Sequence, residues 1–111
     1  MLNIQQMKYV AAIANNGSFR EAAKKLFITQ PSLSNSIREL EEELGISLFL
    51  RTNKGAFLTE EGMVFLEQAE KVLFQMELLE NRYRETVTSE RFSISSQHYD
   101  FLGEVIAKVR S

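Results

Sequence analysis

Ser18-Phe19-Arg20-Glu21-Ala22-Ala23-Lys24-Lys25-Leu26-Phe27-Ile28-Thr29-Gln30-Pro31-Ser32-Leu33-Ser34-Asn35-Ser36-Ile37-Arg38-Glu39-Leu40 is the stretch whose reading decides the fold. Ser18 followed three residues later by Glu21 has the pattern of a capping box, which opens a helix over residues 19–27 with Ala22, Ala23 and Leu26 facing inward. Ile28 and Thr29 form a short link. Thr29 then caps a second helix with Pro31 in its first turn, where the missing N–H costs little, and Gly45 ends that helix after Leu44. On a wheel of about 100° per residue, Leu33, Ile37, Leu40 and Leu44 fall in one stripe that must pack inward. Pro31, Ser34, Asn35, Arg38 and Glu42 lie on the opposite side, with Gln30 at the exposed start.

Outward from this pair the patterning continues on both sides. Upstream, Ile4, Met7, Val10, Ala11, Ile13 and Ala14 recur at helical spacing over residues 3–15, with Gln6 three residues after an Asn3 cap, and Asn15-Asn16-Gly17 supplies residues that tolerate positive φ. Downstream, Leu48 and Leu50 alternate with Phe49 and Arg51, Asn53-Lys54-Gly55 offers a turn, and Ala56-Phe57-Leu58 returns, which predicts a small β-hairpin. Thr59 caps a long helix whose first turn carries Glu60 and Glu61, favourable at the positive end of the helix dipole. Within it Phe65, Ala69, Val72, Met76, Leu79 and Tyr83 are spaced by four, three, four, three and four residues, a heptad seam. Running over residues 60–88 at about 1.5 Å per residue, this helix spans about 43 Å, more than a domain of this size covers, so the seam is expected to pair with a second helix. Phe92 and Ile94 then alternate with serines as a short strand, and Phe101, Leu102, Val105, Ile106 and Val109 mark a last amphipathic helix.

The predicted class is therefore mainly α: a winged helix-turn-helix of three helices and a two-stranded wing over residues 1–59, a linker and dimerisation helix over 60–89, and a short βα tail over 90–111 that begins a larger domain. Composition bounds the chemistry. The 111 residues are 44% hydrophobic and 25% charged, ordinary for a globular chain, with neither a run of about 18 apolar residues nor the pattern of a secretory leader. A cytoplasmic location without membrane contact is the expectation. With Cys 0 and His 1 there is no thiolate nucleophile, disulfide, Cys-based metal site or His-centred triad, so the chain is read as a non-enzyme without cofactor or metal. The net charge of -2 hides an asymmetry. Residues 1–40 carry five bases (Lys8, Arg20, Lys24, Lys25, Arg38) against two acids (Glu21, Glu39), a local +3, and the remainder is -5.

Two short helices joined tightly and followed by a hairpin are the arrangement that lays a helix in the DNA major groove. The first two turns of the outer face offer amide, hydroxyl and guanidinium groups suited to base edges and phosphates, whereas Glu41, Glu42 and Glu43 repel phosphates, so only the N-terminal half of the helix should enter the groove. The competing class is a protein-interaction or dimerisation module that keeps the helix-turn-helix scaffold without reading DNA. Such a face would carry Leu, Phe or Tyr where Gln30, Ser34, Asn35 and Arg38 stand.

The residues Ser18-Phe19-Arg20-Glu21-Ala22-Ala23, Thr29-Gln30-Pro31-Ser32-Leu33-Ser34, Ile37, Leu40-Glu41, Leu44-Gly45, Leu48-Phe49, Arg51, Leu58-Thr59 and Gly62 resemble the N-terminal domain of the LysR-type transcriptional regulators of bacteria. The resemblance implies that Gln30, Pro31 and Ser34 contact bases and that the wing, from Arg51 through Thr52 to Lys54, follows phosphates or enters the minor groove. Ser18 and Thr29 join the DNA-contacting set at their helix starts, with Asn35 and Arg38 on the same outer face. The position after Ser34, commonly Arg in the family, is Asn35 here, and Asn favours adenine where Arg favours guanine. The implied partners are a double-stranded operator with dyad-related half-sites and a second copy of the chain. The tail resembles the start of the family's effector-sensing domain, so a small-molecule effector is expected only in a full-length protein.

Overall fold

The computed structural model describes residues 1–91, in the element order α1 (Ile4–Asn16), α2 (Phe19–Leu26), α3 (Gln30–Leu44), β1 (Phe49–Thr52), β2 (Gly55–Leu58) and α4 (Glu60–Arg91). The strand expected at Phe92 and Ile94 and the helix expected around Phe101 to Val109 lie outside the described residues. Two units are distinguished, Met1–Phe74 and Gln75–Ser111. The first holds the three-helix core, the hairpin and the beginning of α4; the second contributes, among the described residues, the remainder of α4.

Helix boundaries follow local capping chemistry. Asn3 and Gln6 form a complete capping box on α1: the Asn3 side chain accepts from the Gln6 N–H at 2.8 Å and the Gln6 side chain accepts from the Asn3 N–H at 3.1 Å. This engagement makes the buried amide of Gln6 tolerable. At α2 the box is one-sided. Ser18 Oγ accepts from the Glu21 N–H at 3.0 Å, while the Glu21 carboxylate turns to Lys24 Nζ at 3.7 Å. Thr29 caps α3 through its hydroxyl, which accepts from the Ser32 N–H at 3.2 Å, and α1 and α3 both end on left-handed glycines, Gly17 and Gly45.

Helix α2 stops one residue short of expectation because Phe27 leaves it with φ 59, the one non-glycine of positive φ among the described residues. Its N–H still closes the helix by donating to the Ala23 and Lys24 carbonyls, and its ring is 94% exposed. A side chain that buries nothing while its Cβ crowds the backbone is a net cost. Replacing it with Asn, which tolerates this conformation, is expected to raise stability by about 0.5–1 kcal/mol. Thermal unfolding of Phe27→Asn checks this, and a lower midpoint than the parent refutes it.

The core is built where the amphipathic faces meet: Val10 and Ile13 from α1, Phe19, Ala22 and Ala23 from α2, Leu33, Ile37 and Leu40 from α3, with Leu48, Phe49 and Ala56 from the hairpin region. Full burial of such a large aliphatic or aromatic side chain contributes roughly 1.5–3 kcal/mol. Of the four positions assigned to the inner stripe of α3, Leu33, Ile37 and Leu40 are buried and Leu44 is half-buried against the core, which fixes the opposite face outward.

The hairpin is antiparallel, pairing Phe49 with Leu58, Leu50 with Phe57, Arg51 with Ala56 and Thr52 with Gly55. Alternation along β1 sends Phe49 inward and Leu50 outward, with Leu50 and its cross-strand partner Phe57 61% and 52% exposed. Glycine is required at the start of β2. Gly55 has φ +139, and a Cβ there would lie 2.5 Å from the Gly17 carbonyl oxygen, the same oxygen that accepts from the Ala56 N–H at 2.9 Å. The wing is thus docked on the α1–α2 turn by backbone alone.

Candidate nucleic-acid interface

The outer face of α3 carries most of the anticipated DNA-contacting residues. Gln30 and Pro31 occupy the exposed first turn, Ser34 is half-buried beneath them, and Asn35 and Arg38 are exposed one turn further on. Thr29 sits at the cap, its hydroxyl also donating to Ser32 Oγ at 2.9 Å. Arg38 Nη2 donates to Asn35 Oδ1 at 2.5 Å. That bond uses one lone pair of the amide oxygen, and the other lone pair and the amide N–H groups of Asn35 are left for an outside partner. Ser18 stands half-buried at the start of α2.

The wing residues divide. Thr52 and Lys54 sit exposed at the hairpin tip, where Thr52 Oγ1 accepts from the Lys54 N–H at 3.1 Å and donates to the Gly55 carbonyl at 3.4 Å. Arg51 is placed differently. Its guanidinium carbon lies 3.7 Å from the centroid of the Phe19 ring, and Nη1 donates to Ser34 Oγ at 3.3 Å. Phe19 in turn meets Phe49 edge to face, with centroids 5.6 Å apart. One arginine thereby joins the wing, the start of α2 and the recognition face of α3.

Sequence reading took Glu41 as a position of the family resemblance and as a repulsive charge, without a structural partner. In the structure its carboxylate accepts the N–H groups of Leu48 at 2.7 Å and Phe49 at 3.3 Å, so it ties the last turn of α3 to the entry of the wing. An acid at a helix C-terminus opposes the dipole, and the signal that it had a backbone partner was that unfavourable position itself. Gly62 was also passed over as a packing residue. It is buried at the start of α4, where a Cβ would collide with the Leu48 carbonyl oxygen.

The apolar seam of α4 does not behave as one surface. Phe65 is partly buried against the core of the first unit and Ala69 is 3% exposed, so the beginning of the seam is covered within the chain. Val72 is 42% exposed. In the second unit Met76 is half-buried, and Leu79 and Tyr83 are 58% and 62% exposed, beside Leu78 at 46%. Among the described residues no group of three or more His, Cys, Asp or Glu side chains is arranged to hold a metal ion, and no helix is long and apolar enough to cross a membrane.

Three helices with a polar recognition face and a two-stranded wing define a winged helix-turn-helix domain of the kind that binds nucleic acid. Residues 4–63 match the family of bacterial regulatory helix-turn-helix proteins of the lysR type. The chain belongs to this family. Among curated relatives, it is 40% identical over 78 residues to the DNA-binding transcriptional dual regulator OxyR of Escherichia coli K12, a match covering 70% of this chain and 26% of that protein. It is 34% identical over 105 residues to the HTH-type transcriptional regulator ClcR of Pseudomonas putida, covering 95% of this chain and 35% of that protein. The chain thus spans about a third or less of the length of these relatives. Among solved structures, the DNA complex of the CbnR DNA-binding domain superposes with TM-score 0.71 at 34% identity, over 78% of this chain and 99% of that one. The complex of the BenM DNA-binding domain with benA site 1 DNA superposes with TM-score 0.71 at 35% identity, over 77% and 99%.

Proposed function

We propose that this chain is the DNA-binding part of a LysR-type transcription regulator, which reads a double-stranded operator as a dimer, with the N-terminal half of α3 in the major groove and the wing on the backbone or in the minor groove. The observation that carries the reading is the outer face of α3: Gln30, Pro31, Asn35 and Arg38 stand exposed above a buried apolar stripe, and acids are confined to the helix's far end. Its likeness to domains solved in complex with DNA supports the same reading. Gln30, Ser34, Asn35 and Arg38 read bases; Ser18, Thr29, Thr52 and Lys54 hold the sugar-phosphate backbone. Dimer contacts fall to Val72, Met76, Leu79 and Tyr83, the part of the seam beyond the residues the chain covers for itself. Any small-molecule effector belongs to the full-length protein.

The division of roles has a direct test. Asn35→Ala removes a bidentate partner for adenine and is expected to cost about 1–3 kcal/mol on the preferred site while relaxing preference at one base position. Lys54→Ala is expected to weaken binding to all duplexes alike and to lower the salt slope by about one unit. Titrations of both variants on an operator selected from random duplexes and on scrambled DNA separate the two. Identical uniform losses would refute the assignment, and no binding of the parent chain to any selected duplex would refute the function.

A further inference from the structure

We infer that Arg51 is a positioning residue for base reading: held over the Phe19 ring, it bonds to the hydroxyl of Ser34 and so makes the wing and the recognition helix one unit. The inference rests on the DNA-binding reading above and assigns to a wing residue a part in sequence selectivity.

The geometry separates this role from simple phosphate attraction. A charge that only follows phosphates needs reach and freedom, as Lys54 has at the hairpin tip. Arg51 has neither, because its guanidinium lies 3.7 Å from the Phe19 ring centroid. The ring beneath it is itself fixed: Phe19 is 4% exposed and packs edge to face on Phe49, two residues before Arg51 on the same strand. From that platform Nη1 reaches Ser34 Oγ at 3.3 Å, across 17 residues of sequence. Arginine has no acceptor, so Ser34 accepts in this bond and its own hydroxyl proton is left to donate to a base or phosphate acceptor. The bond turns a lone pair of the hydroxyl toward Arg51 and its proton away from the guanidinium before DNA arrives. Only a planar, delocalised cation both stacks on a ring and donates along its edge; a lysine ammonium in the same place keeps the charge and loses the geometry. At the other end of α3, the Glu41 carboxylate holds the N–H groups of Leu48 and Phe49, so the wing is tied to the helix twice and the angle between them is constrained.

The test compares Arg51→Lys, Arg51→Ala and Ser34→Ala, singly and combined, for binding to a selected operator and to scrambled duplex over a range of salt. Arg51→Lys is expected to lose about tenfold on the operator, within the range of one specific base contact, while scrambled-duplex affinity and salt slope stay near those of the parent because the charge is kept. Ser34→Ala should lose most of its effect in the Arg51→Lys background, since both changes break the same contact. Phe19→Leu, which keeps an apolar core side chain but removes the platform, should lower operator selectivity in the same direction with Arg51 present. In the DNA-free protein, the Arg51 side-chain proton resonances should carry an upfield ring-current shift that Phe19→Leu abolishes. Full operator selectivity in Arg51→Lys, or additive losses for Ser34→Ala and Arg51→Lys, would overturn the inference while leaving DNA binding intact. Absence of any duplex binding by the parent chain would instead overturn the reading beneath it.

Discussion

Leu79→Glu is expected to disperse the proposed dimer and, with it, tight binding to a two-half-site operator. Leu79 stands 58% exposed on α4, in heptad register with Met76 and Tyr83, so pairing with a second copy would remove it from water in both chains at once. Each large apolar side chain fully buried contributes roughly 1.5–3 kcal/mol before the entropy of association is subtracted. The substitution removes two such contributions per dimer and puts two unpaired carboxylates in their place. The dimer dissociation constant is therefore expected to rise at least about a hundredfold, which corresponds to about 3 kcal/mol. In the proposed arrangement two linked recognition helices bind dyad-related half-sites together, so affinity for the full palindrome should fall toward that for one half-site. Sedimentation equilibrium and operator titration measure the two effects. A parent chain that sediments as a monomer where it already binds the full operator tightly would sink the idea, as would a Leu79→Glu variant that remains dimeric. The matching substitution at Phe65 is expected to act differently, on folding rather than on assembly, since Phe65 packs against the core of its own chain.

Gly62→Ala should strongly destabilise the first unit. The site is crowded by design of its hydrogen bonds: the Leu48 carbonyl accepts from the Thr59 N–H at 2.9 Å, Thr59 Oγ1 accepts from the Gly62 N–H at 2.9 Å, and the same hydroxyl donates to the Ser47 carbonyl at 2.5 Å. These bonds draw the first turn of α4 onto the segment that leads into the wing. An added Cβ meets the Leu48 carbonyl oxygen, which is backbone and has no rotamer to yield. The helix start must then move, and either the Thr59 cap or the Thr59–Leu48 bond is lost. Overpacking of this kind costs about 2–3 kcal/mol, a fall of roughly 10 °C or more in the unfolding midpoint for a domain of this size. Helix propensity pulls the other way by up to about 1 kcal/mol, since Ala is the better helix former, so an unchanged or higher midpoint would show that the packing argument is wrong. Calorimetry on Gly62→Ala decides it.

The starts of the four described helices were legible because capping is local, whereas α4 runs to Arg91, past the end expected near residue 88. Asn3 and Gln6, Ser18 and Glu21, and Thr29 and Ser32 are three residues apart, close enough for a hydroxyl or amide to find its N–H partner whatever the rest of the chain does. The apolar spacing of Leu33, Ile37 and Leu40 likewise set which face of α3 turns inward, and thereby which residues are offered to a partner. Where local reading slipped by a residue, as at Phe27, the cause was a backbone conformation that side-chain patterning does not announce.

What only the tertiary structure decided lies between residues distant in sequence. Nothing in the spacing of β1 reveals that Arg51 lies on Phe19 and bonds to Ser34, since the alternation of the strand sets the face of a side chain and not its partner. Glu41 looked like one more acid in a solvated run until the chain returned the Leu48 and Phe49 N–H groups to it. Gly55 and Gly62 read as a turn residue and a family motif position; their need to lack a Cβ comes from the Gly17 and Leu48 carbonyls that close upon them. The heptad seam, uniform on paper, is divided by the burial of Phe65 and Ala69, because a periodic stripe records how apolar a face is and not what covers it. Periodicity and capping energies act over one or two turns and are written in the order of residues, whereas close approach and long-range hydrogen bonding depend on how the finished elements pack, which no local window contains.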